Sequence, residues 1–268
     1  MPLIHKIDDP ADPRVEPFRN VRERDLVGRR GFIAEGKVVL DHLLAARRFR
    51  PTALLVLENR MAGLADRLAR LPDRVPVHVA SRAVFDEIAG FPVHRGILAH
   101  AEDCEAEGDG GALIASAHAA GQPLVVCVGI ANHDNVGAIF RNAAAFGAGA
   151  VLLDGTSCHP LYRKALRVSV GAVLTVPWHF GRSAGEILRD VSAAGYQPFA
   201  LTPAGEIEAG ALPRDRPAAL FLGTEGNGLP VELMERMRTV RIAMQPGLDS
   251  LNVATAAAIV LHGLYSAA

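Results

Sequence analysis

Leu220-Phe221-Leu222-Gly223-Thr224-Glu225-Gly226-Asn227-Gly228-Leu229-Pro230 decides the fold class of this chain. An apolar run too short for a helix enters a glycine-rich turn, and Pro230 then stands near the first position of a new helix. A strand buried on both faces, followed at once by a turn and a helix, is the repeating unit of parallel α/β sheets. The alternation extends through the second half of the chain. Strands are predicted at residues 124–128, 150–153, 198–201, 218–222 and 240–243. Helices are predicted at 136–146, 161–174, 183–194 and 231–237, with a last one from about Asn252.

The first half carries a shorter version of the pattern. Helices are expected at 35–49, 62–71 and 81–88, and strands at 52–57, 75–79 and 96–101, which makes a small α/β sandwich. Acidic residues and glycines from Glu105 to Gly111 interrupt the apolar patterns and mark a boundary. The expected division is residues 1–105, a linker and first helix of the next domain at 106–120, and a second domain at 121–268.

Composition narrows the function. A chain of 268 residues that is 50% hydrophobic can bury a substantial core. A net charge of −1 excludes a protein that coats nucleic acid by bulk charge. Of its 28 basic residues 25 are Arg, whose planar fork suits phosphates, although coding bias gives the same composition. Arg29, Arg30, Arg47, Arg48 and Arg50 form a modest basic cluster and are the candidate residues for binding a polyanion. Cys104, Cys127 and Cys158 are odd in number and scattered, so the expectation is a reducing cytoplasm with no thiolate metal site. The polar start from Met1 to Pro10 does not match a secretory signal. The uncharged tail from Leu251 to Ala268 reads as a helix buried against protein rather than a membrane span.

Three segments carry candidate chemistry. In the turn 223–228 glycines let the backbone approach a ligand, and Glu225 is presented at a strand's carboxyl end, although such a turn also serves as a plain strand-to-helix connection. The order Gly-x-x-Gly-x-Gly reverses the dinucleotide fingerprint, which disfavours a nicotinamide-dependent oxidoreductase. In Asn132-His133-Asp134-Asn135-Val136-Gly137-Ala138-Ile139-Phe140-Arg141-Asn142, Asn135 is a plausible helix cap. Arg141 sits in an apolar helix and needs either a carboxylate such as Glu225 or an anionic substrate. In Met244-Gln245-Pro246-Gly247-Leu248-Asp249-Ser250-Leu251-Asn252, Asp249 or Ser250 could cap the last helix, and Asn252 offers donors and an acceptor to a ligand. Arg167-Val168-Ser169-Val170-Gly171 lacks the first glycine of a nucleophile elbow, and the histidines show no zinc spacing.

In order and spacing these three segments resemble the motifs of the SpoU (TrmH-like) RNA ribose 2′-O-methyltransferases. Lys164-Ala165-Leu166-Arg167-Val168-Ser169-Val170-Gly171-Ala172 is similar to a further segment of that family. Phe32-Ile33-Ala34-Glu35-Gly36-Lys37 and Val93-His94-Arg95-Gly96-Ile97 resemble its L30e-like substrate-binding domain. Asn132-His133-Asp134 departs from the family's usual Asp/Asn-Pro-x but retains Asn135. The resemblance implies an α/β fold with a C-terminal SPOUT parallel sheet tied in a deep trefoil knot, preceded by the small L30e-like domain. It implies S-adenosylmethionine against Thr202, Leu222, Gly223, Glu225, Gly226, Ile242, Met244 and Leu251. Asn135, Arg141, Glu225, Ser250 and Asn252 would surround the reacting ribose of rRNA or tRNA. A homodimer with the active site at its interface is also implied, without metal or membrane. Arg141 would act as a phosphate-holding cation rather than a base, because guanidinium keeps its proton. An RNA-binding paralogue without strong catalysis is the alternative on the same fold.

Overall fold

A computed structural model of the chain describes residues 3–21, 31–105 and 109–266. Arg29 and Arg30 of the expected basic cluster lie outside the described residues. Two compact units form, residues 1–107 with 161–175 and residues 108–160 with 176–268. The segment 161–175, grouped by sequence with the second half, therefore belongs with the first unit.

The first unit is built on β1 (Leu3–Ile7), β2 (Phe32–Glu35), β3 (Phe49–Leu57), β4 (Pro76–Ala80) and β5 (Ile97–Asp103), in the spatial order β1-β4-β3-β5-β2. β4 runs parallel to β1 and β3, whereas β5 is antiparallel to β3 and β2. The helices α1 (Lys37–Ala45), α2 (Ala65–Leu68) and α3 (Arg82–Ala89) belong to it. Ser81 caps α3 by accepting from the Val84 N–H, and Gly90 ends it with φ of 79°, a left-handed conformation in which glycine has no Cβ to clash. Ile7, Phe18, Ile33, Leu55, Phe85 and Leu98 fill the core. β1 and β2 escaped the sequence reading. β1 is an edge strand that exposes Leu3 and Ile4, so it lacks the inward alternation that marks a half-buried strand. The helix expected at 62–71 is a 3-10 turn at Glu58–Gly63 followed by the four-residue α2.

The second unit holds seven strands, β6 (Leu124–Cys127), β7 (Ala150–Asp154), β8 (Trp178–Arg182), β9 (Gln197–Leu201), β10 (Ile207–Glu208), β11 (Ala218–Leu222) and β12 (Arg238–Arg241). Their order is β10-β12-β9-β11-β6-β7-β8, and every neighbouring pair is parallel. The helices α4 (Gly110–Ala119), α5 (His133–Ala145), α7 (Ala184–Ala193), α8 (Val231–Met234) and α9 (Val253–Tyr265) complete it. Leu124, Val126, Leu152, Ile187, Leu188 and Phe221 pack in its core. The sheet is α/β and parallel, as the continuous apolar runs predict. Trp178–Arg182 was missed because an edge strand reading Trp-His-Phe-Gly-Arg has no aliphatic run. α9 has 13 residues, and no helix of the described residues is long and apolar enough to cross a membrane.

The single helix expected at 161–174 is split. α6 (Arg163–Val168), in the first unit, ends where Val170 and Gly171 both take positive φ, 55° and 88°. The Gly171 N–H donates to the Leu166 carbonyl at 3.0 Å, and Ala172–Leu174 resumes as a 3-10 turn. A β-branched residue in the left-handed region is costly and persists only where packing fixes it.

His78 on β4 is 2% exposed, stacked on His5 at 5.8 Å and edge-on to Phe18 at 6.5 Å. Burial lowers its pKa, the neighbouring His5 and Arg14 lower it further, and Asp12 opposes them. The unfolded chain then binds a proton near the ordinary value of about 6.5 that the folded unit resists, so stability falls with acid below that value. Asp12, held near about 2 mainly by the side-chain hydrogen bond from Arg14, titrates below this window. Urea unfolding should therefore show the first unit losing stability between about pH 7 and about pH 5. The change H78F should flatten that slope; an unchanged slope would remove His78 as its source.

Candidate active site

β6 leads right, through β7, to β8, whereas β11 lies on the other side of β6, so the strand order reverses between β6 and β11. Loops leaving the carboxyl ends of two such strands diverge and open a crevice for ligands. Leu222 is in register with Cys127, which sets the Gly223–Gly228 turn beside the 128–132 loop that enters α5.

The turn is pinned by a two-way bridge. Thr224 and Gly228 exchange N–H to carbonyl hydrogen bonds of 3.1 Å each. A Cβ on Gly223 would come within 2.2 Å of the Gly228 carbonyl carbon and 2.3 Å of the Leu229 nitrogen. Only glycine permits that approach, and it throws Glu225 to the tip of the turn.

Glu225 meets two carboxamides there. Asn135, 5% exposed, donates from Nδ2 to Glu225 Oε1 and accepts at Oδ1 from Asn252 Nδ2 at 2.9 Å. Asn252 also donates to Glu225 Oε1 at 3.3 Å, and its own Oδ1 accepts from the Ala254 and Thr255 N–H groups at 2.9 and 3.3 Å. Asn252 is thus the cap of α9, where Asp249 or Ser250 had been expected; both of those are exposed. Asn135 is likewise not a cap. Asn132 caps α5 by accepting from the Asp134 N–H at 2.9 Å, which leaves Asn135 buried in the first turn. The Asn-His-Asp departure from the family pattern therefore supplies its own cap.

Glu225 accepts from Asn135 and Asn252, and Arg141 is not among its partners. Arg141 is exposed on α5 and makes no hydrogen bond or ion pair among the described residues. Its distance from the cluster follows from the helix: six residues advance about 9 Å and turn the side chain off Asn135's face.

A cavity of about 590 Å³ opens beside the cluster. Thr202, Leu222, Gly223, Glu225, Gly226, Ile242, Met244 and Leu251 all line it, as do Ser250 and Asn252; Asn135 and Arg141 do not. Leu201, Leu222, Val240 and Ile242 give it an apolar side. The backbone N–H groups of Gly226, Ile242, Met244 and Leu251 make no hydrogen bond among the described residues. Apolar walls with unpaired backbone donors suit a flat heterocycle carrying polar edges.

Sequence reasoning missed Asp154 at the end of β7. Its buried carboxylate accepts from the Gly129 N–H at 3.0 Å, Thr156 Oγ1 at 2.6 Å, and the Ser157 N–H and Oγ at 2.9 and 2.8 Å. Ser157 Oγ in turn accepts from the Ile130 N–H at 3.0 Å. This network fixes the bend from β6 toward α5. Asp154-Gly155-Thr156-Ser157 carried a signal, since such residues at a strand end favour side-chain to backbone bonds. Of the expected RNA-binding residues in the first unit, Arg48 holds Asp103 at 2.9 and 2.7 Å, Arg50 lies 3.3 Å from Glu102, and Arg47 is exposed.

A parallel α/β sheet with a cavity at its carboxyl ends and a carboxylate held by two amides is the arrangement of a ligand-binding α/β protein. Residues 122–262 match the SpoU rRNA Methylase family. An uncharacterized tRNA/rRNA methyltransferase of Mycobacterium bovis is 37% identical over 270 residues, covering 97% of this chain and 91% of that protein. The AdoMet-bound rRNA methyltransferase from Sinorhizobium meliloti superposes with a TM-score of 0.80 at 25% identity, over 97% of each chain. An RNA 2′-O ribose methyltransferase superposes with a TM-score of 0.79 at 26% identity, also over 97% of each. The chain belongs to the SpoU rRNA methylase family.

The glycine constraint is directly testable. Gly223→Ala should open the Thr224–Gly228 bridge, speeding hydrogen exchange across residues 220–230 and costing about 1–3 kcal/mol as overpacking does. Mass-spectrometric exchange should leave peptides of the first unit unchanged. Full protection of 220–230 in the variant would show that the turn adapts.

Proposed function

We propose that the protein is an S-adenosylmethionine-dependent methyltransferase acting on a ribose 2′-hydroxyl of rRNA or tRNA in the cytoplasm. The observation that carries the reading is the Asn135–Glu225–Asn252 cluster at the rim of the cavity. The family match and the names of the S. meliloti and 2′-O ribose neighbours support it.

The cavity suits the cofactor on its own features: an apolar side for the adenine, unpaired amides at Gly226, Ile242, Met244 and Leu251 for its polar edges, and the Gly223 cradle. When bound, the cofactor supplies a methyl group on a sulfonium. Glu225 Oε2 accepts no hydrogen bond among the described residues and is free to receive a ribose hydroxyl. Asn135 and Asn252 hold that carboxylate in one rotamer. Arg141 keeps its proton and pairs with the phosphate next to the target ribose, which favours the ionised 2′-oxygen; the proton leaves to phosphate or water. Ser250 is exposed on the loop above and positions the sugar.

Two architectural readings go with it. A homodimer completes the site, because Arg141 lies off the cluster of its own chain, and α9 exposes Ile259 and Tyr265 at 42% and 60%. A trefoil knot in the second unit is supported by connectivity: β12 lies outside β9, yet α9 packs on α5, so the chain from Arg241 to Val253 crosses the ends of β9 and β11. The first unit is read as the L30e-like domain that holds RNA.

Purified protein should bind S-adenosylmethionine and yield 2′-O-methylnucleosides when nuclease digests of treated rRNA or tRNA are analysed by mass spectrometry. Methyl groups on bases alone would overturn the ribose assignment, and cofactor binding without transfer to any cellular RNA would favour a non-catalytic paralogue. Arg141→Lys should cut turnover about a hundredfold while cofactor affinity holds, since a point charge replaces a fork. Turnover equal to the parent would take Arg141 out of the reaction.

A further inference from the structure

We propose that Arg163 is a positioning residue for methyl transfer: paired with Glu35, it pins residues 161–175 to the first unit and thereby fixes the 129–130 bend that leads to Asn135. The inference rests on the RNA-modifying reading above and adds to it a residue outside the cluster and the cavity. It starts from the segment 164–172, which neither of them uses.

β7 and β8 are parallel neighbours. Such strands need a crossover of a dozen or more residues, and its helix ordinarily covers the sheet that the strands belong to. This crossover does not. Residues 161–175 belong to the first unit, so the chain leaves the second unit after Pro160 and returns to it at Val176. α6 packs on β2, and the 3-10 turn at Ala172–Leu174 packs on α1. Two contacts hold the segment there. Arg163 and Glu35, whose side chains are 12% and 6% exposed, form an ion pair at 2.5 Å, and the guanidinium lies 4.5 Å from the centre of the Phe91 ring. Further along, the His42 ring lies against the Gly171 backbone, where an added Cβ would stand 2.7 Å from His42 Cδ2. A buried ion pair contributes little more to stability than apolar packing, yet removing one partner leaves a buried charge without compensation. The pair therefore tolerates one arrangement of the segment, where apolar contacts alone would tolerate several.

The pinned segment is continuous with the network that shapes the active site. Asp154 and Ser157 accept from the Gly129 and Ile130 N–H groups, and the Cys158 N–H donates to the Ile130 carbonyl at 2.9 Å. Arg163 follows Cys158 by five positions, at most about 18 Å of extended chain. A displacement of the segment is taken up within that short reach or passed to the 129–130 bend. Beyond the bend Asn132 caps α5, and Asn135 in its first turn holds Glu225. A reacting group keeps its geometry only where the residues behind it are themselves fixed. None of residues 161–175 lines the cavity, so loss of the pin acts on the reaction and leaves cofactor binding alone.

The test combines amide hydrogen exchange of the full chain with transfer of tritiated methyl from S-adenosylmethionine to total cellular RNA. R163M alone leaves Glu35 buried and unpaired, so the decisive variant is E35Q/R163M, which removes both charges. H42A removes only the ring against Gly171 and is a second, milder release that keeps the ion pair. E35Q/R163M should speed exchange of the Gly129 and Ile130 amides and cut turnover at saturating RNA, each about tenfold, while the half-saturating RNA concentration stays within about twofold of the parent. The affinity for S-adenosylmethionine and exchange in β9 should stay parental, which also shows that the second unit is folded. H42A should move exchange and turnover in the same direction by less. Parental exchange at 129–130 in both variants, or parental turnover in E35Q/R163M, would overturn the proposal. A loss confined to the half-saturating RNA concentration would overturn it too, since the pair would then serve to hold RNA. If the parent transfers no methyl group, the reading of function fails by its own assay, and exchange at 129–130 still decides whether the pin sets the bend.

Discussion

A buried carboxamide must find partners for its donors and its acceptor, and among the described residues Asn135 finds them in Glu225 and Asn252. Those residues stand 90 and 117 positions away along the chain. Leaving either group unpaired would cost about 1–3 kcal/mol, so the three loops that carry them are locked to a common geometry. The start of α5, the tip of the 223–228 turn and the cap of α9 thus become one structure. The cavity takes its shape from that lock, because the turn and the α9 entry form much of its wall.

The parallel sheet makes such a lock possible. Side-by-side strands with a common direction deliver their loops to one edge, and reversal of the order at β6 and β11 leaves room between them. Asp154 does for the 129–130 bend what Gly223 does for the 223–228 turn. One supplies acceptors for backbone donors, and the other removes a side chain where two backbones nearly touch. Neither residue faces the cavity through its side chain, yet the position of Asn135 or Glu225 depends on it.

Much of the second unit was legible because its strands are buried on both faces and its helices are amphipathic, so each period announces its element. The cavity lining was legible for a different reason: family spacing carried it, while local chemistry alone left Glu225, Asn135 and Asn252 ambiguous. What stayed hidden is non-local. Asn132 rather than Asn135 caps α5, and Asn252 rather than Ser250 caps α9, because capping preference does not distinguish Asn, Asp and Ser standing a few residues apart. The split at Val170 could not be foreseen, since a β-branched residue with positive φ contradicts propensity and is held by its surroundings. Edge strands such as Leu3–Ile7 and Trp178–Arg182 carry little pattern because only one side of each is paired.

The basic residues show the same limit. A cluster counted along the sequence cannot reveal whether its charges are free. Arg48 directs two guanidinium nitrogens at one carboxylate, and that pairing arises from β3 and β5 lying antiparallel, with Phe49 opposite Asp103. Lys37, Arg60 and Arg95 are scattered over 59 positions and draw no notice in sequence, yet all three are exposed and none has an ion-pair partner among the described residues. Free charge at a surface is therefore a property of the fold: it depends on which acids the sheet register has already brought to other cations.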